Sequence, residues 1–150
     1  MKAVIALGSN LGDSEKLLQE AIYKLHDLFT IVAVSDFVTT TPVGGPEQDD
    51  YLNAIAIIET DRDPLDLLRL LQGIESAAGR IREERWGPRT LDLDLIVYGD
   101  QVIDSEELEI PHPRAHERIF VLQPWLAVDP DGYIPGRGEI KTLLDQILLP

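Results

Sequence analysis

Residues 85–98 read RWGPRTLDLDLIVY, and this stretch decides how the rest of the chain is interpreted. It begins as a loop, because its Gly-Pro pair interrupts regular structure. It then alternates leucine with aspartate and ends in an apolar run, a pattern that predicts a strand over residues 91–98. Side chains alternate across a strand, so Asp92 and Asp94 should project from one face with Cα atoms about 6.7 Å apart. Two carboxylates placed in this way can reach one or two divalent cations.

Arginines precede the aspartate pair. Guanidinium groups match the geometry of phosphate oxygens, and Mg²⁺ prefers a few carboxylate oxygens together with phosphate oxygens and water. Carboxylates for a metal beside arginines for phosphate indicate phosphoryl or diphosphoryl transfer from a nucleotide. The four arginines are Arg80, Arg82, Arg85 and Arg89.

Simpler interpretations exist for both features. Alternating leucine and aspartate is also typical of an antiparallel strand with one solvated face. Arginines near the end of a helix also complement the negative end of the helix dipole. The dipole accounts only for the last helical turn, so it does not explain the whole arginine cluster.

Composition limits the class of protein. The 150 residues correspond to one domain of ordinary size, spanning 1–150. The net charge of −14 argues against nucleic-acid binding, which needs a basic surface. The chain has no cysteine, its N-terminal apolar run is too short for a signal peptide, and no apolar run has membrane-spanning length. We therefore expect a cytoplasmic protein without a nucleic-acid or membrane partner.

Hydrophobic periodicity predicts the order strand, helix, strand, strand, helix, strand. This βαββαβ order is typical of a ferredoxin-like α+β fold, an antiparallel sheet with helices on one face. Two loops separate these elements, at 41–50 and at 81–90. One or two short edge strands are predicted between 100 and 110, and short helices at 114–127 and 141–149. The strands are predicted at 2–7, 31–40, 51–60 and 91–98. One helix is capped by Asp13 or Ser14 and buries a face that runs from Leu17 to Phe29 and includes Leu28. The other begins at Pro64, and its predicted buried stripe is Leu67, Leu68, Leu71, Ile74 and Ala78.

The chain resembles the 6-hydroxymethyl-7,8-dihydropterin pyrophosphokinase family of folate biosynthesis. Residues 85–94 closely match the long signature of that family, and further matches occur in the expected order along nearly the whole chain. The resemblance implies transfer of diphosphate from ATP to the hydroxymethyl group of the pterin. It also implies additional C-terminal elements on the second face of the sheet, giving α/β/α layers. The further matches are at 6–12, 51–54, 110–114 and 118–122.

The resemblance also implies roles for individual residues. Asp92 and Asp94 match the pair that holds two Mg²⁺ ions, and together with Arg82 and Arg89 they are assigned to catalysis. The pterin-binding positions are Thr41, Pro42, Tyr51, Asn53, Trp86 and Phe120, with Tyr51 and Phe120 stacking on either side of the ring. The ATP-binding positions are Gln72, Glu75, Arg80, Arg82, Trp86, Arg89, Leu95, His112 and Arg118. We expect a monomer whose partners are ATP and the pterin.

The sequence departs from other family members at several positions. Val43 and Gly44 occur where bulkier residues are found, and Pro113 replaces an aromatic residue. Glu107 and Glu109 stand where some members place groups that contact ATP. We expect these differences to bear on nucleotide affinity and loop closure and not on the predicted reaction.

Two other functions are compatible with parts of the pattern. One is a nucleotidyl or phosphoryl transferase that uses another acceptor on the same scaffold, since fold alone does not define function. The other is an acidic ferredoxin-like regulatory or binding module. The aromatic pair with Asn53 favours a flat heterocyclic acceptor, and a binding module would not need paired aspartates beside four arginines.

Overall fold

The computed structural model describes residues 1–10, 13–40, 51–83 and 91–149, with the backbone alone for 79–83. Over these ranges the chain forms a mixed α/β fold with an antiparallel sheet and four α-helices. The strands are β1 (Lys2–Ser9), β2 (Thr30–Val34), β3 (Val38–Thr40), β4 (Tyr51–Glu59), β5 (Asp92–Tyr98), β6 (Ile103–Asp104), β7 (Glu109–Ile110), β8 (Tyr133–Ile134) and β9 (Gly138–Glu139). The helices are α1 (Ser14–Leu28), α2 (Pro64–Glu83), α3 (Ile119–Val128) and α4 (Ile140–Leu148), and one 3₁₀ turn covers Ala115–Glu117.

The main sheet has the strand order β2–β4–β1–β5, and β3 pairs with β4 beyond the end of β2. All of these pairings are antiparallel. β1 pairs with β4 along its whole length, from Lys2 opposite Glu59 to Ser9 opposite Leu52. β5 therefore lies at one edge of the sheet, with its other long side turned away from β1.

The sheet packs between two helical layers because its strands are apolar on both faces. Ala3, Ile5 and Leu7 of β1 belong to the core that α1 and α2 cover. Val4 belongs to a second core, which α3 and α4 cover. The buried stripe predicted for α2 is confirmed at four of its five positions, since Leu67, Leu71, Ile74 and Ala78 are buried and Leu68 is partly buried. None of the helices in the described ranges combines the length and apolar character needed to cross a membrane.

The single strand predicted over 31–40 is wrong, because the chain forms β2 and β3 there with residues 35–37 between them. The Ser35 N–H donates to the Ile55 carbonyl at 2.8 Å, and the Ser35 hydroxyl accepts the Ile55 N–H at 2.8 Å. Buried Ser35 thus forms hydrogen bonds with both the N–H and the carbonyl of Ile55. Three residues lie between Val34 and Val38, whereas two lie between their partners Ala56 and Asn53 on β4, so the strand is bulged.

Other differences lie at the ends of elements. α2 continues to Glu83, so residues 81–83 are helical and do not belong to the predicted loop. The rest of that loop and the loop at 41–50 lie outside the described residues. Leu28 was expected on the buried face of α1, but it is the last helical residue and is 42% exposed.

The C-terminal third forms small additional elements. The predicted strands between 100 and 110 are present as β6 and β7, which form a two-stranded sheet of their own and do not extend the main sheet. The β8–β9 hairpin was not predicted, because its strands have only two residues each and carry no periodic signal. The two predicted C-terminal helices are confirmed as α3 and α4.

Two glycine-to-alanine substitutions should change stability in opposite directions. A Cβ at Gly132 would lie 2.8 Å from Trp125 Nε1 and 2.9 Å from Ile140 Cδ1. Gly132→Ala should therefore lower the free energy of unfolding by about 1–3 kcal/mol through overpacking. A Cβ at Gly73 in α2 would meet no atom within 4 Å, so Gly73→Ala should raise it by about 0.5–1 kcal/mol. Denaturant unfolding of both variants checks the pair, and equal effects would contradict the packing assigned to Gly132.

Candidate active site

A cavity of about 500 Å³ opens beside the second core, whose members Ala6, Phe120 and Val121 line it. Its wall brings together the ends of β1, β3, β4 and β5 with the first turn of α3. All five residues predicted for the pterin and the metal that fall in the described ranges line it. The lining residues are Ala6, Leu7, Gly8, Thr40, Tyr51, Asn53, Asp92, Asp94, Arg118, Phe120 and Val121.

The floor of the cavity is a grid of cross-strand neighbours. Gly8 lies opposite Asn53 on one side and Asp92 on the other. Ala6 lies opposite Asp94 in the next such row. Directly opposite residues have Cβ atoms about 4.5–5.5 Å apart, so the amide and the two carboxylates all surround small residues. The absence of large side chains at positions 6 and 8 creates the space between these polar groups.

The aspartates face the cavity as the alternating pattern predicts. Asp92 and Asp94 are partly exposed, whereas Leu93 and Leu95 between and after them are only 3% and 4% exposed and belong to the opposite core. The alternation therefore separates carboxylates from leucines across the sheet. Among the described residues no group of three or more acidic or histidine side chains is arranged to hold an ion. Two hard carboxylate ligands fit Mg²⁺ that completes its coordination with phosphate oxygens and water.

Two aromatic side chains line the cavity from different elements. Tyr51 begins β4, and Phe120 lies in the first turn of α3. The Arg118 guanidinium lies 5.6 Å from the centre of the Phe120 ring, within the range of a cation–π interaction. The two rings and the arginine border one cavity, so a flat ligand on the aromatic side would come close to the charged side.

Asn53 is held at the wall by a residue that was not predicted. It is 6% exposed, and its Nδ2 donates to the Thr40 hydroxyl at 2.9 Å. The predicted neighbour Thr41 lies outside the described residues, as does Pro42. Thr40 ends β3 opposite Tyr51. Side chains alternate along β3, and its register against β4 could have identified Thr40 as the neighbour of Asn53. The break at Ser35 hid that register.

Glu75 does not line the cavity. It accepts the Leu93 N–H at 2.7 Å through Oε2, from α2 to the backbone of β5. Gln72 is exposed on the same helix. Leu95 directs its side chain into the core under α1 and α2, so the cavity holds none of these three side chains. Their assignment to ATP remains a prediction.

His112 lies within electrostatic range of Asp94. Its backbone N–H donates to Ile96 O at 2.8 Å, at the residue where the β1–β5 register shifts. The Arg114 N–H donates to His112 Nδ1 at 3.2 Å. Burial lowers the pKa of His112; the negative charge of Asp94 opposes this effect, and the positive charge of Arg118 adds to it. Weaker contributions come from Glu109, which raises the pKa, and from Arg114, which lowers it.

The pKa of His112 should therefore report the charge of Asp94. Asp94→Asn removes the strongest effect that raises this pKa, so the pKa should fall further below its ordinary value. An NMR titration of the imidazole protons in both proteins measures the shift, with exposed His26 of α1 as the reference resonance. A pKa of His112 that is unchanged or higher in Asp94→Asn would contradict the proximity.

The remaining predicted positions cannot be placed in the cavity. The side chains of Arg80 and Arg82 and all of Trp86 and Arg89 lie outside the described residues. Among the departures from the family pattern, Glu107 forms an exposed ion pair with Arg69 at 2.7 Å. Glu109 and Pro113 are exposed, and Val43 and Gly44 lie outside the described ranges.

Comparison with known proteins identifies related sequences. The sequence model described as 7,8-dihydro-6-hydroxymethylpterin-pyrophosphokinase (HPPK) matches residues 4–130. The 2-amino-4-hydroxy-6-hydroxymethyldihydropteridine pyrophosphokinase of Haemophilus influenzae is 43% identical over 146 residues, which cover 96% of this chain and 91% of the relative. The protein of the same name from Bacillus subtilis is 48% identical over 124 residues, covering 81% of this chain and 74% of the relative.

A solved structure shows the same fold at low identity. The crystal structure of Plasmodium falciparum HPPK-DHPS wild type with pterin and p-hydroxybenzoate superposes with a TM-score of 0.74 over 97% of this chain, at 16% identity. The chain spans 42% of that larger chain. Since the family model matches most of the sequence and the two bacterial relatives are more than 40% identical, the chain belongs to the 7,8-dihydro-6-hydroxymethylpterin-pyrophosphokinase family.

Proposed function

We propose that the chain transfers the diphosphoryl group of ATP to 6-hydroxymethyl-7,8-dihydropterin, as a pyrophosphokinase of folate biosynthesis. The observation that carries this proposal is the composition of one cavity. Two aromatic rings and a buried amide stand across a floor of Ala6 and Gly8 from two carboxylates. A flat heterocycle and a metal-bound phosphate chain can therefore meet in it.

The acceptor would occupy the aromatic side. Tyr51 and Phe120 offer ring faces for offset stacking on a pterin. Asn53 offers both a donor and an acceptor, which matches a ring edge that carries both. Because its amide is hydrogen-bonded to Thr40, Asn53 is oriented before the ligand arrives. This arrangement would hold the acceptor hydroxymethyl group toward Asp92 and Asp94.

The carboxylate side would receive the phosphates. Asp92 and Asp94 would hold Mg²⁺, two ions by the family resemblance, which offset phosphate charge and polarise the phosphoryl group under attack when bound. Arg118 lines the same cavity and can contact phosphate oxygens through its planar donors. We propose Arg80, Arg82, Trp86, Arg89 and His112 as further nucleotide contacts, and Arg82 and Arg89 as catalytic.

The reaction then follows from positioning and charge. The acceptor hydroxyl oxygen forms a bond to the β-phosphorus, the bond from that phosphorus to the oxygen of the α-phosphate breaks, and AMP leaves. The hydroxyl proton is released to solvent. Catalysis of this kind depends on alignment and electrostatic stabilisation and needs no covalent enzyme intermediate.

Several wider features belong to the proposal. The strand order β2–β4–β1–β5, with α1 and α2 on one face, supports a ferredoxin-like core carrying extra C-terminal elements. We further propose a single pyrophosphokinase domain over 1–150 and a monomer that acts in the cytoplasm. The lack of cysteine accords with a reducing compartment.

The products of a reaction with ATP, Mg²⁺ and the hydroxymethyl pterin test this function. A pyrophosphokinase forms AMP and the pterin diphosphate in equal amounts. A phosphoryl transferase would release ADP, a nucleotidyl transferase would release diphosphate, and a binding module would form no product. Pterin-dependent AMP supports the proposal, and any of the other outcomes contradicts it.

A further inference from the structure

The backbone between the two aspartates is bound by a carboxylate from outside the cavity. Leu93 separates Asp92 from Asp94, and its N–H donates to Glu75 Oε2 at 2.7 Å. β5 lies at the edge of the sheet, so groups on its outer side have no neighbouring strand to pair with in the β2–β4–β1–β5 order. Glu75 reaches this outer side from α2, the helix that covers the opposite face from the cavity.

The bond from Glu75 is the third contact that holds the Leu93 segment of β5 in place. On one side β1 pairs with it, with Leu7 opposite Leu93. Below the sheet, the Leu93 side chain is buried in the core of α1 and α2. On the outer edge, Glu75 accepts the N–H, and a hydrogen bond to an ionised acceptor is stronger than one between neutral groups. Rotation of the Leu93 peptide would turn both aspartates together, and these three contacts oppose it.

We propose that Glu75 is a positioning residue that fixes the direction of Asp92 and Asp94 through the Leu93 backbone. This inference rests on the proposed function for the identity of the metal and the reaction. It differs from the nucleotide-binding role that the family resemblance implies for Glu75, because the Oε2 atom is engaged with the protein backbone and the residue does not line the cavity. Outer-shell groups that orient metal ligands affect metal affinity about 10–100-fold.

Glu75→Leu and Glu75→Gln separate the two roles. Leucine removes the acceptor, whereas glutamine keeps an acceptor oxygen without the charge. Glu20→Leu in α1, an exposed glutamate remote from the cavity, is the matched control. The first measurement is hydrogen exchange of the Leu93 amide in the metal-free protein. Glu75→Leu should accelerate it about 10–100-fold, Glu75→Gln should accelerate it less, and Glu20→Leu should leave it unchanged.

The second measurement is Mg²⁺ binding in the presence of a non-hydrolysable ATP analogue. Glu75→Leu should weaken it about tenfold or more, with Glu75→Gln between leucine and wild type. Unchanged Leu93 exchange in Glu75→Leu would overturn the proposal, as would weaker binding of the ATP analogue with unchanged Mg²⁺ affinity. Should Glu75→Leu fail to fold, Glu75→Gln carries the same test. If wild type forms no AMP, the proposed function fails, while the Leu93 exchange still tests the positioning contact.

Discussion

Asp94→Asn should reduce diphosphate transfer by about a thousandfold, and Asp92→Asn should do the same. Asparagine has nearly the same size and shape as aspartate but lacks the charge that binds a hard cation. The contribution of a bound metal to transition-state stabilisation amounts to several kcal/mol, and each 1.36 kcal/mol corresponds to a tenfold change in rate. Since both carboxylates lie on the cavity wall, either substitution should remove most of that contribution.

The fold should tolerate these substitutions. Both aspartates are partly exposed, and the core on the other face of β5 is made by Leu93 and Leu95. Removing one of two neighbouring negative charges also relieves repulsion in the metal-free protein. The thermal midpoint should therefore stay at or slightly above that of wild type, which separates a lost metal site from a lost fold.

Controls make the result specific to the pair. Asp104→Asn changes the same group at an exposed position of β6, away from the cavity, and should leave turnover unchanged. In a titration with Mg²⁺, the two site variants should reach half-saturation only at a much higher Mg²⁺ concentration than wild type. Near-normal turnover by Asp92→Asn or Asp94→Asn at ordinary Mg²⁺ would contradict the metal role assigned to that residue.

The aspartate pair also shows what sequence patterns can predict. The leucines at 91, 93 and 95 are buried in the core under α1 and α2. Because side chains alternate across a strand, Asp92 and Asp94 must lie on the opposite face, which borders the cavity. The same reasoning applies to the stripe of α2, where four of the five predicted apolar positions are buried and Leu68 is partly buried. These predictions succeed because a strong local pattern coincides with burial.

Tertiary contacts account for the errors. The break between β2 and β3 depends on the Ser35 hydroxyl binding Ile55, which is 20 positions away and leaves no local trace. The same break hid the register of β3 against β4. The sequence therefore could not show which of the three consecutive threonines at 39–41 would contact Asn53, and the structure shows that it is Thr40. Glu75 was assigned to the nucleotide by resemblance alone, and only the fold reveals its contact with Leu93. Patterns thus predict which face a residue occupies, while side-chain bonds between elements decide register.

The second large effect is expected on the acceptor side of the cavity. Phe120→Leu keeps an apolar side chain against the second core, which Phe120 contacts, but removes the ring. Stacking between an aromatic side chain and a nucleic-acid base contributes about 1–3 kcal/mol, and a pterin is a comparable flat heterocycle. The KM for the pterin should rise about 10–100-fold, with little change in the KM for ATP.

Tyr51→Leu should have a similar effect, and the double variant tests whether both rings contact the same ligand. If the pterin lies between the two rings, loss of one ring lets the pterin shift. The second substitution should then raise the KM for the pterin by a smaller factor in the double variant than it does in wild type. Tyr23→Leu, which changes a 72%-exposed aromatic residue on α1, is the control and should leave both KM values unchanged.

The balance between the two KM values distinguishes the possible acceptors. A transferase with a non-aromatic acceptor would lose little from Phe120→Leu, because such a ligand gains nothing from a ring face. Loss of the ring also removes the cation–π contact of Arg118 with Phe120, and the effect of that loss would be a higher KM for ATP. A rise confined to the pterin therefore assigns the ring to the acceptor, whereas equal rises for both substrates, or none, would contradict the sandwich by Tyr51 and Phe120.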